Sequence, residues 1–594
     1  MAIELLMGNV AIGLGAIRAG VGVVTGYPGT PSTEVLETIA KNNDGNIYVE
    51  WSVNEKSAME VAAGACYSGK RTLVTMKQVG LNVASDPLMN LSYIGVKGGL
   101  VVLVADDPGP ISSQTEQDTR SYGMYSKLPV FDPSTPEEAY LMMADAFDYS
   151  EKYNTPVIFR PVTRLCHACS AVDLKPQIQK PSDTTFEKNP RFVIFPKLAY
   201  NSHLNIEKRN PIIGDDFSSY KYNIASGKGE KAIVTGSVSY SYVKEFLDED
   251  VKLLKIATPF PFPEKLALEF LDTVKEVLVI EELDPVLERA LIHLAGKEKL
   301  SVKIKGKLTG DVQTAGENSP ESVNAVLNKF LGLNNTIDFD SADDIPLPIR
   351  PPVLCAGCPH RASFYAVKQA MKGKRAVYCG DIGCYTLGNA MPLDMVDTCL
   401  CMGAGITIAQ GIKHSDKDIK AFSFIGDSTF FAAGITGIVN AIYNGADITV
   451  VILDNSTTAM TGHQPHPGTG ITMMGDIAQK MSIEKVLEGL GVPYIRTVDP
   501  LNLSEAIEVA KEASNQKGVS AIIYRSPCIA VVKGNKKTSK ITDKCVSCGK
   551  CIKEIGCPAI MREGKKVYIN QTLCTNCKLC HKVCPFDAIK EVNS

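Results

Sequence analysis

Eight of the 18 cysteines lie in the last 50 residues, in two runs that each close on Cys-Pro. The first run is Cys545-x2-Cys548-x2-Cys551-x5-Cys557-Pro558, and the second is Cys574-x2-Cys577-x2-Cys580-x3-Cys584-Pro585. Thiols at this density leave little room for an ordinary apolar core, so the segment must fold around something that sulfur binds. A disulfide framework is a poor explanation in a chain of 594 residues that shows no secretory signature. Structural zinc is the competing reading, but zinc usually pairs separated C-x2-C knuckles. Triple C-x2-C-x2-C runs ending in Cys-Pro have the spacing of iron–sulfur ligands.

The second run carries the spacing of bacterial ferredoxins, in which three cysteines hold one cubane and the fourth crosses to the other. By that rule Cys545, Cys548, Cys551 and Cys584 hold one 4Fe–4S cluster, and Cys574, Cys577, Cys580 and Cys557 hold a second. The x5 gap after Cys551 departs from x3, so a bulged loop and an unusual potential are expected there. Such a chain handles electrons one at a time.

The rest of the chain is ordinary in composition. Hydrophobic content of 45% with 21% charged residues fits a soluble globular protein, and the length calls for roughly four domains. A net charge of −3 gives no reason to invoke nucleic acid or an anionic membrane. Glu4, Asn9 and several glycines break the apolar N-terminus, so no signal peptide is expected, and no run approaches the length of a membrane helix. The expected setting is a reducing, anaerobic cytoplasm, because exposed cubanes are oxygen-sensitive.

Apolar runs alternate with amphipathic segments over residues 1–175, where Val21–Thr25 and Leu100–Ala105 read as strands and Glu55–Tyr67 as a helix. Residues 176–226 are richer in Pro, Lys, Asn and Ser and read as a linker or extended arm. A second α/β segment spans 227–335, with strands at Lys231–Thr235, Leu253–Ile256 and Val277–Ile280. An acid- and proline-rich break, Asp338–Pro352, precedes a third segment, 350–532, with strands at Ile419–Ile425 and Ile448–Leu453. The basic stretch Lys533–Lys540 then leads to the cysteine-rich tail, 541–594. The fold class expected is multidomain α/β.

In the third segment Gly426-Asp427-Ser428 follows a strand directly, and Asp454-Asn455-Ser456-Thr457 follows the next. Both would lie at the carboxyl edge of a parallel sheet, where α/β proteins bind ligands. The pattern resembles the thiamine diphosphate motif, with Ser428 in place of a glycine and Asp454 in place of the first asparagine. Mg²⁺ takes hard oxygen ligands and bridges carboxylates to phosphates, so Asp427, the Asn455 side chain and the Thr457 carbonyl are the expected protein ligands. The helix N-terminus after Ser428 would meet the diphosphate. A generic strand-end turn is the bland alternative. In the first segment Trp51–Ala58 resembles the activating-glutamate stretch of such enzymes, with Glu55 set against the aminopyrimidine ring and Glu60 an ordinary helix-face carboxylate. Gly64-x4-Gly69-Lys70-Arg71 lacks the Ser or Thr of a phosphate loop, and Gly13-x-Gly15 lacks the third dinucleotide-binding glycine, so ATP and NAD find no support.

Tyr27–Glu34 is similar to the substrate-side loop of 2-oxoacid:ferredoxin oxidoreductases, which would make Thr30 a pocket residue. Arg120, in Asp118-Thr119-Arg120, would clamp a substrate carboxylate, with an ordinary salt bridge as the alternative. Cys355-x2-Cys358, Cys384 in Gly380–Cys384 and Cys528 after Pro527 resemble the scattered ligands of a cluster beside thiamine; small residues shaping turns are the other reading. Cys66, Cys166, Cys169, Cys379, Cys399 and Cys401 are expected to be structural. Together with Ala459–Gly468, these motifs resemble the large subunits of indolepyruvate:ferredoxin oxidoreductases over essentially the whole chain.

The resemblance implies a transketolase-like thiamine diphosphate fold with a C-terminal two-cluster ferredoxin-like domain. It also implies oxidative decarboxylation of aryl pyruvates to aryl-acetyl-CoA with reduction of a soluble ferredoxin. A small beta subunit, coenzyme A as co-substrate and a heterotetramer are expected with it. His463 and His466 would handle protons or touch substrate, with loop packing as the alternative. Another 2-oxoacid oxidoreductase, a non-oxidative decarboxylase and a pure electron-transfer subunit remain open at this point.

Overall fold

A computed structural model of the chain describes residues 3–178, 184–248, 251–335, 348, 351–532 and 537–593. Two compact units divide it, Met1–Asp344 and Ile345–Ser594. Their boundary falls in the acid- and proline-rich break, most of which lies outside the described residues.

The first unit holds two large sheets, besides a two-stranded antiparallel pairing of Ile3–Met7 with Cys169–Asp173. One has six parallel strands in the order Tyr48–Trp51, Val23–Gly26, Thr72–Lys77, Leu100–Ala105, Val157–Phe159 and Val130–Phe131. Leu100–Ala105 is buried along its whole length, which is why it reads as an unbroken apolar run rather than an alternating one. Chain order reverses between Val23–Gly26 and Thr72–Lys77, so the loops leaving their carboxyl ends flank a switch-point crevice. The second sheet runs Lys303–Lys305, Glu276–Ile280, Lys228–Thr235, Val251–Lys255 and Ile224–Ser226, with only the last strand antiparallel.

The segment expected as a linker or extended arm, 176–226, of which 179–183 lie outside the described residues, is largely helical instead. Pro196–Ser218 is a helix of 23 residues that opens with Pro196, where no backbone donor is needed, and buries Ile206, Ile213 and Phe217. Phe217 meets Phe131 edge-on with ring centroids 5.5 Å apart. Three or four apolar side chains at helical spacing thus outweigh the local content of Pro, Lys and Asn.

In the second unit a parallel sheet is ordered Ala376–Cys379, Lys420–Gly426, Thr449–Asp454, Ser520–Arg525 and Tyr494–Val498. The tail pairs Lys537–Ile541 with Ile589–Asn593 and Ile560–Glu563 with Lys566–Ile569, both antiparallel, with short helices Lys550–Ile555 and Leu579–Val583 between them. Residues 537–540, half of the expected basic linker, belong to its first strand, Lys537–Ile541, and 533–536 lie outside the described residues. Ile555, Ala559, Leu579 and Val583 also share one core with Phe364, Phe422 and Phe424 of the parallel-sheet fold. Among the described residues, no helix is long and apolar enough to cross a membrane.

Candidate active site

Asn54 caps the helix Glu55–Tyr67 by accepting a hydrogen bond of 2.8 Å from Ser57 N, which makes Glu55 the first helical residue. This places the carboxylate at the carboxyl edge of the six-stranded sheet, and it is buried there. Burial pushes its pKa up to about 7, partly offset by a backbone hydrogen bond and by Lys77. Gly80 lies against it: a Cβ there would stand 2.5 Å from Glu55 Oε1, so the carboxyl keeps its place only beside a glycine. Glu60, one turn on, is exposed and pairs with Lys56. Thr30 is half-buried in the neighbouring switch-point loop, where its carbonyl accepts from Ser112 Oγ at 3.2 Å.

Arg120 does not have the geometry of a substrate clamp. Its guanidinium is 2% exposed and donates to Asp118 at 2.7 Å, to Glu281 at 2.8 Å, and to the carbonyls of Glu282 and Asp284. Glu281 and Asp284 belong to the second sheet's side of the unit, so Arg120 locks the two sheets together. Asp118 caps the helix that carries Arg120, and the helix register aims the side chain inward. A bidentate fork already filled by protein acceptors has no free edge for a substrate carboxylate.

The second unit gathers the other predicted oxygens. Asp427, 3% exposed, accepts from Ser428 N at 2.9 Å through Oδ1 and from Ser456 N at 2.7 Å through Oδ2. Two strand-end loops are thereby tied together, with Asn455 and Thr457 buried beside them. Burial raises the pKa of Asp427, a shift that His466 opposes. The helix that follows Asp427 opens into a stretch of π-helix, Phe430–Gly434, a distortion common at functional sites. His466 Nε2 stands 3.2 Å from Asp427 Oδ2, close enough for an ionic contact but without hydrogen-bond alignment. His463, by contrast, is exposed at a left-handed backbone position, φ 68°. Three hard oxygens of this kind suit Mg²⁺ and a diphosphate.

The tail cysteines sort into two cavities. One is lined by Cys545, Cys548, Cys551 and Cys584, and the other by Cys557, Cys574, Cys577 and Cys580. Cys355, Cys358, Cys384 and Cys528 form a further neighbourhood. Burial pushes the Cys384 thiol up to about 11, with Cys355 and Cys528 adding to the shift. The Cys358 thiol is pushed up to about 12, again by burial first, with a contribution from Cys355 and Cys384. Among the described residues, no three His, Cys, Asp or Glu side chains converge on a point as a single ion requires. Zinc at about 2.3 Å would draw its sulfurs to about 3.8 Å of one another; thiols ringed around a cavity suit the larger cubane. Cys66 is buried with its thiol donating to Gly98 O at 2.8 Å, whereas Cys169, Cys399 and Cys401 are exposed and pack in no core.

Two polar groups beside these loops escape a reading by motif. His360 is fully enclosed, with its pKa pushed down to about 4 by burial, and its Nε2 lies 3.4 Å from Asn455 Nδ2. Asp381, pushed up to about 7 by burial, accepts from Gly403 N and from the Tyr385 hydroxyl, which also bonds Thr429. The signal for Asp381 is the strand–Gly–Asp pattern of Gly380-Asp381, a repeat of Gly426-Asp427. For His360 there is none beyond its place after Cys358-Pro359.

Residues 14–218 match the family model for pyruvate flavodoxin/ferredoxin oxidoreductase, thiamine diphosphate-binding. Residues 381–524 match the thiamine pyrophosphate enzyme C-terminal binding domain, and 567–590 match the 4Fe-4S binding domain. Fold, loops and matches together define a thiamine diphosphate- and iron–sulfur-binding oxidoreductase subunit. The chain is 40% identical to the indolepyruvate oxidoreductase subunit IorA of Archaeoglobus fulgidus, covering 99% of this chain and 97% of that one. It is also 40% identical to the IorA subunits of Methanothermobacter thermautotrophicus, over 98% and 97%, and of Thermococcus kodakarensis, over 99% and 96%. A solved 2-oxoglutarate:ferredoxin oxidoreductase from Magnetococcus marinus aligns at 20% identity over 55% of this chain and 65% of that one, with a TM-score of 0.44. The chain belongs to the family of indolepyruvate oxidoreductase IorA subunits.

Proposed function

We propose that this chain is the large subunit of an enzyme that oxidatively decarboxylates aryl 2-oxoacids of the indolepyruvate and phenylpyruvate type. The acyl group passes to coenzyme A and the electrons to a soluble ferredoxin, with a small beta subunit completing a heterotetramer. Thiamine diphosphate, when bound, supplies the electron sink for the carbon that loses CO₂, and iron–sulfur clusters supply one-electron acceptors.

The observation that carries this reading is the double link from Asn455 to the third set of cysteines. Asn455 O accepts from Cys528 N at 2.9 Å, and its side chain meets His360, two residues after Cys358. The loop suited to a diphosphate and the thiols suited to an electron acceptor are therefore one connected structure, as an oxidative decarboxylation demands and a simple decarboxylation does not.

The residues divide the work by their chemistry. Glu55, with a pKa about 7, holds a proton at its carboxyl oxygen or releases it near neutrality, which suits the aminopyrimidine ring. Asp427, Asn455 and the Thr457 carbonyl would offer hard oxygens to Mg²⁺, and the backbone at Gly426 and Ser428 would hold the diphosphate. His466 orients Asp427; Thr30 lines the substrate side. The three cysteine sets would hold three 4Fe–4S clusters.

The test is an anaerobic assay of the chain co-produced with its small subunit, supplied with thiamine diphosphate, Mg²⁺, coenzyme A and a viologen dye. Dye reduction and acyl-CoA formation selective for indolepyruvate and phenylpyruvate are expected. Selective turnover of pyruvate or 2-oxoglutarate would overturn the substrate class, and aldehyde release without dye reduction would overturn the oxidative reaction.

A further inference from the structure

Arg361 is 4% exposed, yet among the described residues no carboxylate pairs with it. All its acceptors are neutral carbonyls, and they come from two sides. Nη2 donates to Leu354 O at 2.6 Å and Cys355 O at 3.3 Å; Nη1 donates to Ile555 O at 2.7 Å and Gly556 O at 3.0 Å. The first pair belongs to the loop of Cys355 and Cys358, the second to the turn that delivers Cys557. Nε is buried and has no partner among the described residues.

A buried guanidinium without a counter-charge is unfavourable unless something nearby turns negative. Burial pushes the Arg361 pKa down, and the thiols whose ionisation would oppose that are Cys557, Cys358, Cys577 and Cys355. Arg361 also lines the cavity of Cys557, Cys574, Cys577 and Cys580, but not that of Cys545, Cys548, Cys551 and Cys584. The two loops touch closely at the same place: Gly357, at φ +79°, faces Thr575, whose Oγ1 would stand 1.8 Å from an added Cβ.

We propose that Arg361 is a positioning and charge-setting residue for electron transfer between the Cys355/Cys358/Cys384/Cys528 site and the Cys557/Cys574/Cys577/Cys580 site. This rests on reading both cysteine sets as cluster sites. Its guanidinium ties the two thiol-bearing loops together and is the counter-charge of both sites once their thiolates hold iron. In the step it serves, the first site is oxidised by one electron as the second is reduced by one, and no bond or proton moves. A fixed positive charge favours the reduced state, so it raises the potential of both sites and leaves the Cys545/Cys548/Cys551/Cys584 site alone.

The experiment uses the full complex, purified anaerobically, with Arg361→Met and Arg361→Lys. Iron is counted and the midpoint potentials are read by EPR-monitored titration. Full iron in Arg361→Met, with two of three midpoints lowered and the third unmoved, is the expected result; Arg361→Lys should restore both. Unmoved midpoints in Arg361→Met, a common shift of all three, or Lys behaving as Met would each overturn the proposal. Should Arg361→Met shed iron, Arg361→Lys decides alone: full iron with midpoints near the unmodified values supports it, and any other pattern overturns it. About eight irons in the unmodified chain instead of about twelve would overturn the third-site reading and this proposal with it. About twelve with unmoved midpoints would overturn the proposal alone.

Discussion

Nε2 of His466 stands 3.2 Å from Oδ2 of Asp427, and both side chains are nearly closed to solvent. Gly468 N donates to His466 Nδ1 at 3.1 Å, which fixes the ring beside Asp427. His463 has no comparable setting, being exposed. His466→Ala should weaken Mg²⁺-dependent thiamine diphosphate binding about tenfold, the cost of about 1–3 kcal/mol for stranding a buried polar partner. His463→Ala should bind within about twofold of the unmodified chain, since exposed side chains away from such contacts contribute little. Calorimetric titration of both variants is the check.

Glu55 carries a measurable cost. Its folded pKa of about 7 lies above the ordinary glutamate value of 4.5, so the folded chain binds the proton more tightly than the unfolded one. The resulting destabilisation is absent at low pH, grows as pH rises from 4.5 to about 7, and stays constant above. Glu55→Gln should therefore raise stability at pH 8 by up to about 3 kcal/mol and leave it unchanged at pH 4, read by denaturant unfolding. Turnover should fall about 100-fold or more in the same variant.

Gly80→Ala attacks the same group without changing its charge. The new methyl would meet Glu55 Oε1 at 2.5 Å and Cγ at 2.9 Å, so the carboxyl must swing aside. Turnover should drop while the pH dependence of stability flattens as Glu55 gains water. Unchanged turnover would show that the position of Glu55 is not critical.

Arg120→Met should act on stability rather than on substrate affinity. It strands Asp118 and Glu281, both buried and both bonded to the guanidinium. A cost of about 3–5 kcal/mol is expected, seen as a lower thermal midpoint. The KM for the oxoacid in surviving protein should stay within about threefold, because the side chain has no free donor edge.

Replacing Cys384 or Cys528 by Ala should remove about four irons per chain and leave the two tail cavities loaded. Iron analysis and EPR of the anaerobic protein would show it. Loss of no iron in either variant would return these residues to turn-shaping roles.

Much of this molecule is legible residue by residue. Leu100–Ala105 and Glu55–Tyr67 form the strand and helix that their patterns announce, because an unbroken apolar run of six and an Asn cap before a small-residue helix are local signals. The partition of the tail cysteines, with Cys557 and Cys584 each crossing to the other run, comes from the resemblance to bacterial ferredoxins, and the two cavities are lined by those same sets. Residues 176–226 went the other way: composition spoke for an arm, and packing of Ile206, Ile213 and Phe217 made a helix. Arg120 is the clearest divergence, because a carboxylate clamp and a buried interlock look alike until Glu281, 161 residues away, is brought to 2.8 Å.

From sequence alone came the chemistry: soft thiolates in runs, hard oxygens after strands, one glutamate at a helix start. These are properties of residue type and spacing along a few turns of chain, and they survive any arrangement of the distant parts. Tertiary structure decided which charges have partners. It buried Arg120 between carboxylates, surrounded the buried Arg361 with backbone carbonyls, pressed Asp427 against His466 while leaving His463 in water, and lifted the pKa of Glu55 to about 7. Desolvation and counter-charge depend on what folds in from far along the chain, and no local pattern encodes them.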